Sequence, residues 1–180
     1  QNVLFGDDNY SKSKREAEKI IKTLENYVIL RPTIIYGNGE NKYIGKLVNL
    51  IKKSFLVPIL GKGDYRLQPI YYLDLIKIIE KCFDNKIRGV YLISGDSIIS
   101  YDQLVNLVIK RLKIFRLKVH IPILILRIVA FFLEKLSKKP LITNVQLNNL
   151  KIKQTYDNSE VKKIFKIKLT PLEKGLNDLI

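Results

Sequence analysis

Behind Tyr10-Ser-Lys-Ser-Lys14, the run Arg15-Glu-Ala-Glu-Lys-Ile-Ile21 is rich in strong helix formers, so the pattern predicts a helix opening at Tyr10. A β-branched stretch follows at Tyr27-Val-Ile-Leu30, ends at Arg31-Pro32 and reaches a turn at Gly37, as a buried strand leaving through a proline does. Leu75 to Phe83 returns its apolar residues at helical spacing. Ser100-Tyr-Asp-Gln103 has the spacing of a capping box and predicts a helix through the apolar-periodic Leu104 to Leu112. Thr170-Pro-Leu-Glu173 repeats that spacing, with Pro171 at the expected first helical position. His120 falls on a short predicted strand with no acid or ligand partner visible beside it, which favours a structural role. No linker, low-complexity tract or internal repeat breaks this order.

The chemistry lies at the first helix. Residues four apart sit one above the other on a helix face, so the Tyr10 phenol and the Lys14 ammonium are expected to share one small volume. A phenol of ordinary pKa about 10 is protonated at neutral pH, but a nearby ammonium favours the phenolate and makes it a usable general base. The bare spacing proves little in a chain with 10 tyrosines and many lysines, so the succession of helix, strand, proline and glycine turn around it carries the weight.

That succession resembles the second half of the extended short-chain dehydrogenase/reductase family, the NAD-dependent epimerases and dehydratases that act mainly on nucleotide sugars. Arg31-Pro-Thr-Ile-Ile-Tyr-Gly37 looks like the family's Arg-Pro-x-x-x-Tyr-Gly segment. Gly61-Lys-Gly-Asp64 with Gln68-Pro-Ile-Tyr-Tyr-Leu-Asp-Leu75 resembles its Gly-x-Gly loop and the strand-to-helix turn after it. Gly89-Val-Tyr-Leu-Ile-Ser-Gly95 resembles a later sheet strand, and Asp157-Asn-Ser with Thr170-Pro-Leu-Glu173 the C-terminal signature. Lys166 stands where the family usually has glycine.

The resemblance implies an α/β fold: the back part of a Rossmann-like doubly wound parallel sheet with a small, mostly helical substrate-binding region. It assigns 1–37 and 69–95 to the Rossmann-like part, and 38–68 and 96–180 to the substrate part. It also implies NAD or NADP as cofactor, a nucleotide-sugar substrate and a homodimer at full length. Tyr10 would exchange a proton with a sugar hydroxyl; Lys14 would hydrogen-bond the nicotinamide ribose; Pro32 and Thr33 would lie beside the nicotinamide. Asn41 and Arg66 would contact the substrate's phosphates, Arg66 displaced by one position and Asn41 serving equally well as a helix N-cap. The family's hydrogen-bonding Ser or Thr would fall at Gln1 or just upstream if Phe5-Gly6 marks the position. No glycine-rich phosphate turn between a strand and a helix stands in the chain, so a strand, turn and helix are expected upstream. A non-catalytic relative, similar to an accessory subunit of respiratory complex I, is the alternative, and the intact Tyr10 and Lys14 pair speaks for the enzyme.

Charge and hydropathy adjust this picture. The net charge of +15 invites a nucleic-acid reading, but the lysines are scattered through every segment and no nucleic-acid module accompanies them, so no nucleic-acid partner is expected. The single Cys82 offers no disulfide framework and reads as a buried core residue in a cytoplasmic protein. Ile121 to Leu136 is very apolar, yet Arg127 interrupts it and it falls short of the roughly 20 residues a spanning helix needs. It is read first as a helix packed in the substrate part, and second as a peripheral membrane contact.

Overall fold

A computed structural model of the chain describes residues 9–39, 42–84, 87–136, 143–149 and 155–180. The chain forms two compact units, one from residues 1–45, 68–98 and 155–179, the other from 46–67, 99–154 and 180.

In the first unit, helix α1 (Asn9–Ile21) leads into strand β1 (Val28–Pro32) and the short β2 (Ile35–Tyr36). Strand β5 (Ile70–Tyr71) lies parallel to β2, and β6 (Gly89–Ile93) lies parallel to β1, pairing Val28 with Gly89 and Pro32 with Ile93. Helix α3 (Tyr72–Asp84) connects β5 to β6, giving the parallel strands and intervening helix expected of an α/β sheet. Residues 155–179, assigned with the substrate part on sequence, pack in this unit. The reason is apolar: Val161, Phe165 and Leu169 are buried together with Ile70, Ile78, Ile87 and Ile93. Cys82 is half-buried against this core, its Sγ donating to the Ile78 carbonyl at 3.2 Å, and burial pushes its thiol up.

Helix α7 (Ser159–Ile164) ends in a Schellman motif, in which Ile167 N–H donates to Lys162 O and Lys166 N–H to Lys163 O. The motif needs a left-handed residue, and Lys166 supplies it at φ 44°. The family's usual glycine at this position therefore has a backbone reason. Helix α8 (Leu172–Gly175) corrects one expectation: Pro171 stands at its N-cap and Thr170 caps nothing. Thr170 instead donates its N–H and hydroxyl to the Asp74 carboxylate, at 2.6 and 3.0 Å.

The second unit pairs β3 (Leu56–Leu60) parallel to β8 (Leu117–Ile121) and β4 (Arg66–Leu67) antiparallel to β7 (Ile99–Ser100). Helix α2 (Ile44–Lys53) belongs here except for its first two residues, and Arg116 closes it by donating to the carbonyls of Ile51 and Lys52 at 2.7 and 3.0 Å. Helix α4 (Tyr101–Leu112) opens on the expected capping box of Ser100 and Gln103. His120 lies on β8 as expected, but an acid partner does face it: Asp102 Oδ1 is 3.5 Å from its Nε2 and 2.6 Å from Lys118 Nζ. Helices α5 (Ile123–Leu136) and α6 (Asn144–Asn149) complete the unit. Among the described residues, no helix is long and apolar enough to cross a membrane.

The two units differ in charge. Among the described residues the first carries fifteen Lys and Arg against eleven Asp and Glu, the second twelve against three. The scatter of lysines along the sequence thus becomes an asymmetry in space, because both units are assembled from discontinuous segments.

Replacing Lys166 by Gly is expected to stabilise the chain by about 1 kcal/mol, since it removes the steric cost of a left-handed side-chain-bearing residue. At this size that is a rise in Tm of about 2–4 °C. Lys163→Gly, one turn earlier inside α7, should lower Tm instead; a drop for both would remove strain as the explanation.

Candidate functional site

The first unit carries Tyr10 and Lys14 on α1 and Pro32 and Thr33 at the carboxyl end of β1. Tyr10 and Lys14 both belong to α1, one helical turn apart; Lys14 is exposed, and the side chain of Tyr10 lies outside the described residues. One turn beyond Lys14, Glu18 fixes the helix to the strand. Arg31 Nε donates to Glu18 Oε1 at 2.9 Å while Nη2 donates to Oε2, a bidentate pair whose side chains are only 14% and 22% exposed. The Arg31 hydrogen bonds hold the Glu18 carboxyl below its ordinary range and outweigh burial, and the same bonds raise the guanidinium. Arg31 of the Arg-Pro motif therefore serves as the anchor of α1.

β1 ends at the exposed Pro32, and Thr33 continues the sheet by donating its N–H to Ile93 O at 2.8 Å. The Thr33 hydroxyl is already engaged, donating to Gln68 O at 2.6 Å. Gln68, 3% exposed, is the hub of this edge. Its amide nitrogen donates to Gly95 O at 2.9 Å and Tyr156 O at 3.0 Å, and its Oε1 accepts from Tyr156 N–H at 2.7 Å. Asn158 Nδ2 adds a bond to Gly95 O at 2.8 Å. This buried side chain thereby joins the loop after β6 to the C-terminal segment, while the backbone carbonyl of the same residue holds Thr33 at the end of β1. Gly95 permits the close approach: a Cβ there would come within 1.8 Å of the Pro69 carbonyl oxygen. Gly37, at φ +142°, is required where the chain turns after β2, since a Cβ would meet the Tyr72 ring at 2.1 Å.

Ser94, at the carboxyl end of β6, is fully buried with no hydrogen-bond partner for its Oγ among the described residues. Open α/β sheets bind ligands outside the carboxyl ends of their strands, which makes this hydroxyl a notable neighbour of Thr33. Sequence reasoning missed Glu18, Gln68 and Ser94, although Gln68 lay inside a quoted motif; an apolar setting around a lone amide was the available signal. The buried tyrosines of this unit are poor proton acceptors. Burial pushes the Tyr36 phenol up, and hydrogen bonding to Asp178 does the same for Tyr71.

Two expected residues stand elsewhere. Arg66 is exposed on β4 of the second unit, opposite Ser100, and Asn41 lies outside the described residues. The position expected for the family's Ser or Thr, at Gln1, also lies outside them. Among the described residues, no group of three or more His, Cys, Asp or Glu side chains is placed to hold a metal ion.

Comparison with known proteins places this geometry. The model of the 3-beta hydroxysteroid dehydrogenase/isomerase family matches residues 3–121, more than half of the chain. The chain belongs to that family. It is thereby a member of the extended short-chain dehydrogenase/reductases. A UDP-glucose 4-epimerase of Vibrio cholerae is 29% identical over 107 residues, which cover 56% of this chain and 33% of the relative. Among solved structures, UDP-glucuronic acid 4-epimerase from Bacillus cereus in complex with UDP-glucuronic acid and NAD superposes with a TM-score of 0.70 at 19% identity, covering 94% of this chain and 50% of the other. dTDP-4-dehydrorhamnose reductase from Bacillus anthracis in complex with NADP gives 0.65 at 19% identity, with 93% and 53% covered. At that identity these structures establish the fold, the Rossmann-like α/β class, and the chain spans about half of their length.

The Glu18 and Arg31 pair predicts a pH dependence for this family member. A carboxyl held low in the folded state contributes stability that is full above its unfolded pKa of about 4.3 and is lost as pH falls through the lower folded value. Glu18→Gln should therefore cost about 1–2 kcal/mol in urea denaturation at pH 7, and the difference should be smaller in acid, below the ordinary carboxylate range. An equal difference at both pH values would show that the pair does not anchor α1 through its charge.

Proposed function

We propose that this chain carries the proton-transfer and substrate-side portion of a cytoplasmic NAD(P)-dependent enzyme acting on a nucleotide sugar, of the epimerase, dehydratase or 4-keto reductase type. The observation that carries the reading is the helix bearing Tyr10 and Lys14, clamped through Glu18 and Arg31 to a parallel strand that ends at Pro32 and Thr33. Family membership supports it, as does the likeness to a UDP-glucose 4-epimerase. An exposed Pro32 at the end of β1 and, after β6, a buried Ser94 hydroxyl with no partner among the described residues support a nicotinamide at the carboxyl ends of these strands.

In this reading, the nicotinamide supplies the hydride acceptor or donor at the sugar carbon. Tyr10 takes the proton of the alcohol as its C–H hydride leaves, and returns it when the carbonyl is reduced. Lys14, one helical turn from Tyr10, would hold the ribose hydroxyls of the bound nicotinamide. Pro32 and the backbone of Thr33 aim the ring, and Gln68 keeps Thr33 in place through its own carbonyl. Residues 1–37 and 69–95 are assigned to the cofactor and 38–68 and 96–180 to the sugar nucleotide, with 155–179 packed in the first unit. Arg66, and Asn41 beyond the described residues, are assigned to its phosphates.

The test uses a polypeptide that carries this chain together with a strand, glycine-rich turn and helix ahead of it, assayed with UDP- and dTDP-linked sugars and with a hydroxysteroid. Tyr10→Phe keeps the ring but removes the transferred proton, so turnover of the nucleotide sugar should fall by about 10² to 10⁴-fold with KM little changed. Lys14→Ala should weaken both rate and cofactor affinity. Full activity of the Phe variant would remove Tyr10 from the mechanism, and no turnover by the unaltered polypeptide would leave a non-catalytic scaffold as the better reading. Turnover of the steroid alone would overturn the substrate class.

A further inference from the structure

Helix α5 is almost entirely apolar, and only Leu126 and Ala130 along it are buried, against Leu147 with Leu60 and Ile121 at the margin. Two of its three polar residues are turned to α6: Arg127 Nη2 donates to Asn148 Oδ1 at 3.2 Å, and Glu134 accepts from the N–H and amide of Asn144 at 2.8 and 3.1 Å. The opposite side is left in solvent. Leu124, Ile125, Ile128, Phe131, Phe132 and Leu136 are 71%, 51%, 53%, 48%, 56% and 84% exposed. At helical spacing they cover an arc of about 140°, with no acidic residue inside it. A soluble surface rarely leaves so large a contiguous apolar face open without a use for it.

The charge of the unit says what covers that face. α5 belongs to the unit with twelve basic against three acidic described residues, and Asp102, one of the three, is already paired with Lys118. Lys135 lies within the arc, its ammonium 4.3 Å above the Phe131 ring, as a cation does at the rim of an apolar patch. A nucleic acid would use the charge but not the phenylalanines; an apolar protein face would use the phenylalanines but not the charge. At 14 residues the helix is about 21 Å long, too short to cross a hydrocarbon core of about 30 Å but well suited to lie along its surface. We propose that α5 is an interfacial helix that seats the second unit on an anionic lipid surface, apolar arc down and the basic unit against the headgroups.

Co-sedimentation of the 180-residue chain with lipid vesicles tests this. Vesicles of equimolar phosphatidylglycerol and phosphatidylcholine should bind at least about tenfold more tightly than phosphatidylcholine alone, and raised salt should weaken the binding. The chain has no tryptophan, so Phe132→Trp introduces a single reporter whose emission should shift to the blue when anionic vesicles are added. Phe131→Glu with Phe132→Glu should abolish binding while far-ultraviolet dichroism and Tm stay unchanged, because both rings are exposed. Lys135→Glu should weaken it about tenfold or more. Equal binding to both vesicle types, no binding to either, or an unshifted tryptophan would overturn the proposal. So would a dimer in sedimentation velocity that the glutamate pair dissolves, which would give the face to a second copy, or capture by DNA that survives that pair.

Discussion

The amide side chain of Gln68 is the constraint on which the sheet edge depends. It is buried, and an amide in such a place is tolerated only when its donors and acceptor are used. Its three bonds go to backbone groups of Gly95 and Tyr156, while the main-chain carbonyl of Gln68 accepts from the Thr33 hydroxyl. Two parallel strands alone make a poor scaffold, since each has few neighbours to hold its end in place. Here a satisfied polar network performs that task, and the C-terminal segment closes over the same core through Phe165 and Leu169.

From that edge the functional geometry follows by two further fixings. Glu18 and Arg31 set the rotation and distance of α1 against β1, so the turn of helix that carries Tyr10 and Lys14 inherits its place from the strand. Asp74, 1% exposed at the head of α3, holds Thr170 and with it the final segment. None of these three residues needs to touch a substrate. They explain how the chain holds a sheet edge of the Rossmann-like α/β class. The second unit adds a different property, a strong excess of positive charge on a body whose longest helix leaves its apolar face open.

Much of this was legible in the residues. The β-branched run before Arg31-Pro32, the Ser100 to Gln103 capping box and the helix carrying Tyr10 and Lys14 depend on local propensity, and local propensity is what a sequence states directly. The glycine-like position at Lys166 was legible through the resemblance, and its left-handed backbone gives the cause. What escaped was non-local. Thr170 has the spacing of a capping residue, but a buried carboxylate 96 positions earlier claims both of its donors. Asp102 reaches His120 and Lys118 only because α4 packs beside β8, and the charge asymmetry emerges only when discontinuous segments are sorted into units. Of the candidate site, Lys14, Pro32 and Thr33 belong to one unit and Arg66 to the other, a division that motif order along the chain does not reveal.

The most direct measurement of this account is amide hydrogen exchange in Gln68→Leu, which keeps the bulk of the side chain and removes its polar end. If the amide is the hub of the sheet edge, the N–H groups of Thr33, Gly95 and Tyr156 should lose protection together, while those of β3 and β8 in the other unit exchange as before. Unchanged protection at Thr33 and Gly95, with loss confined to Tyr156, would contradict it.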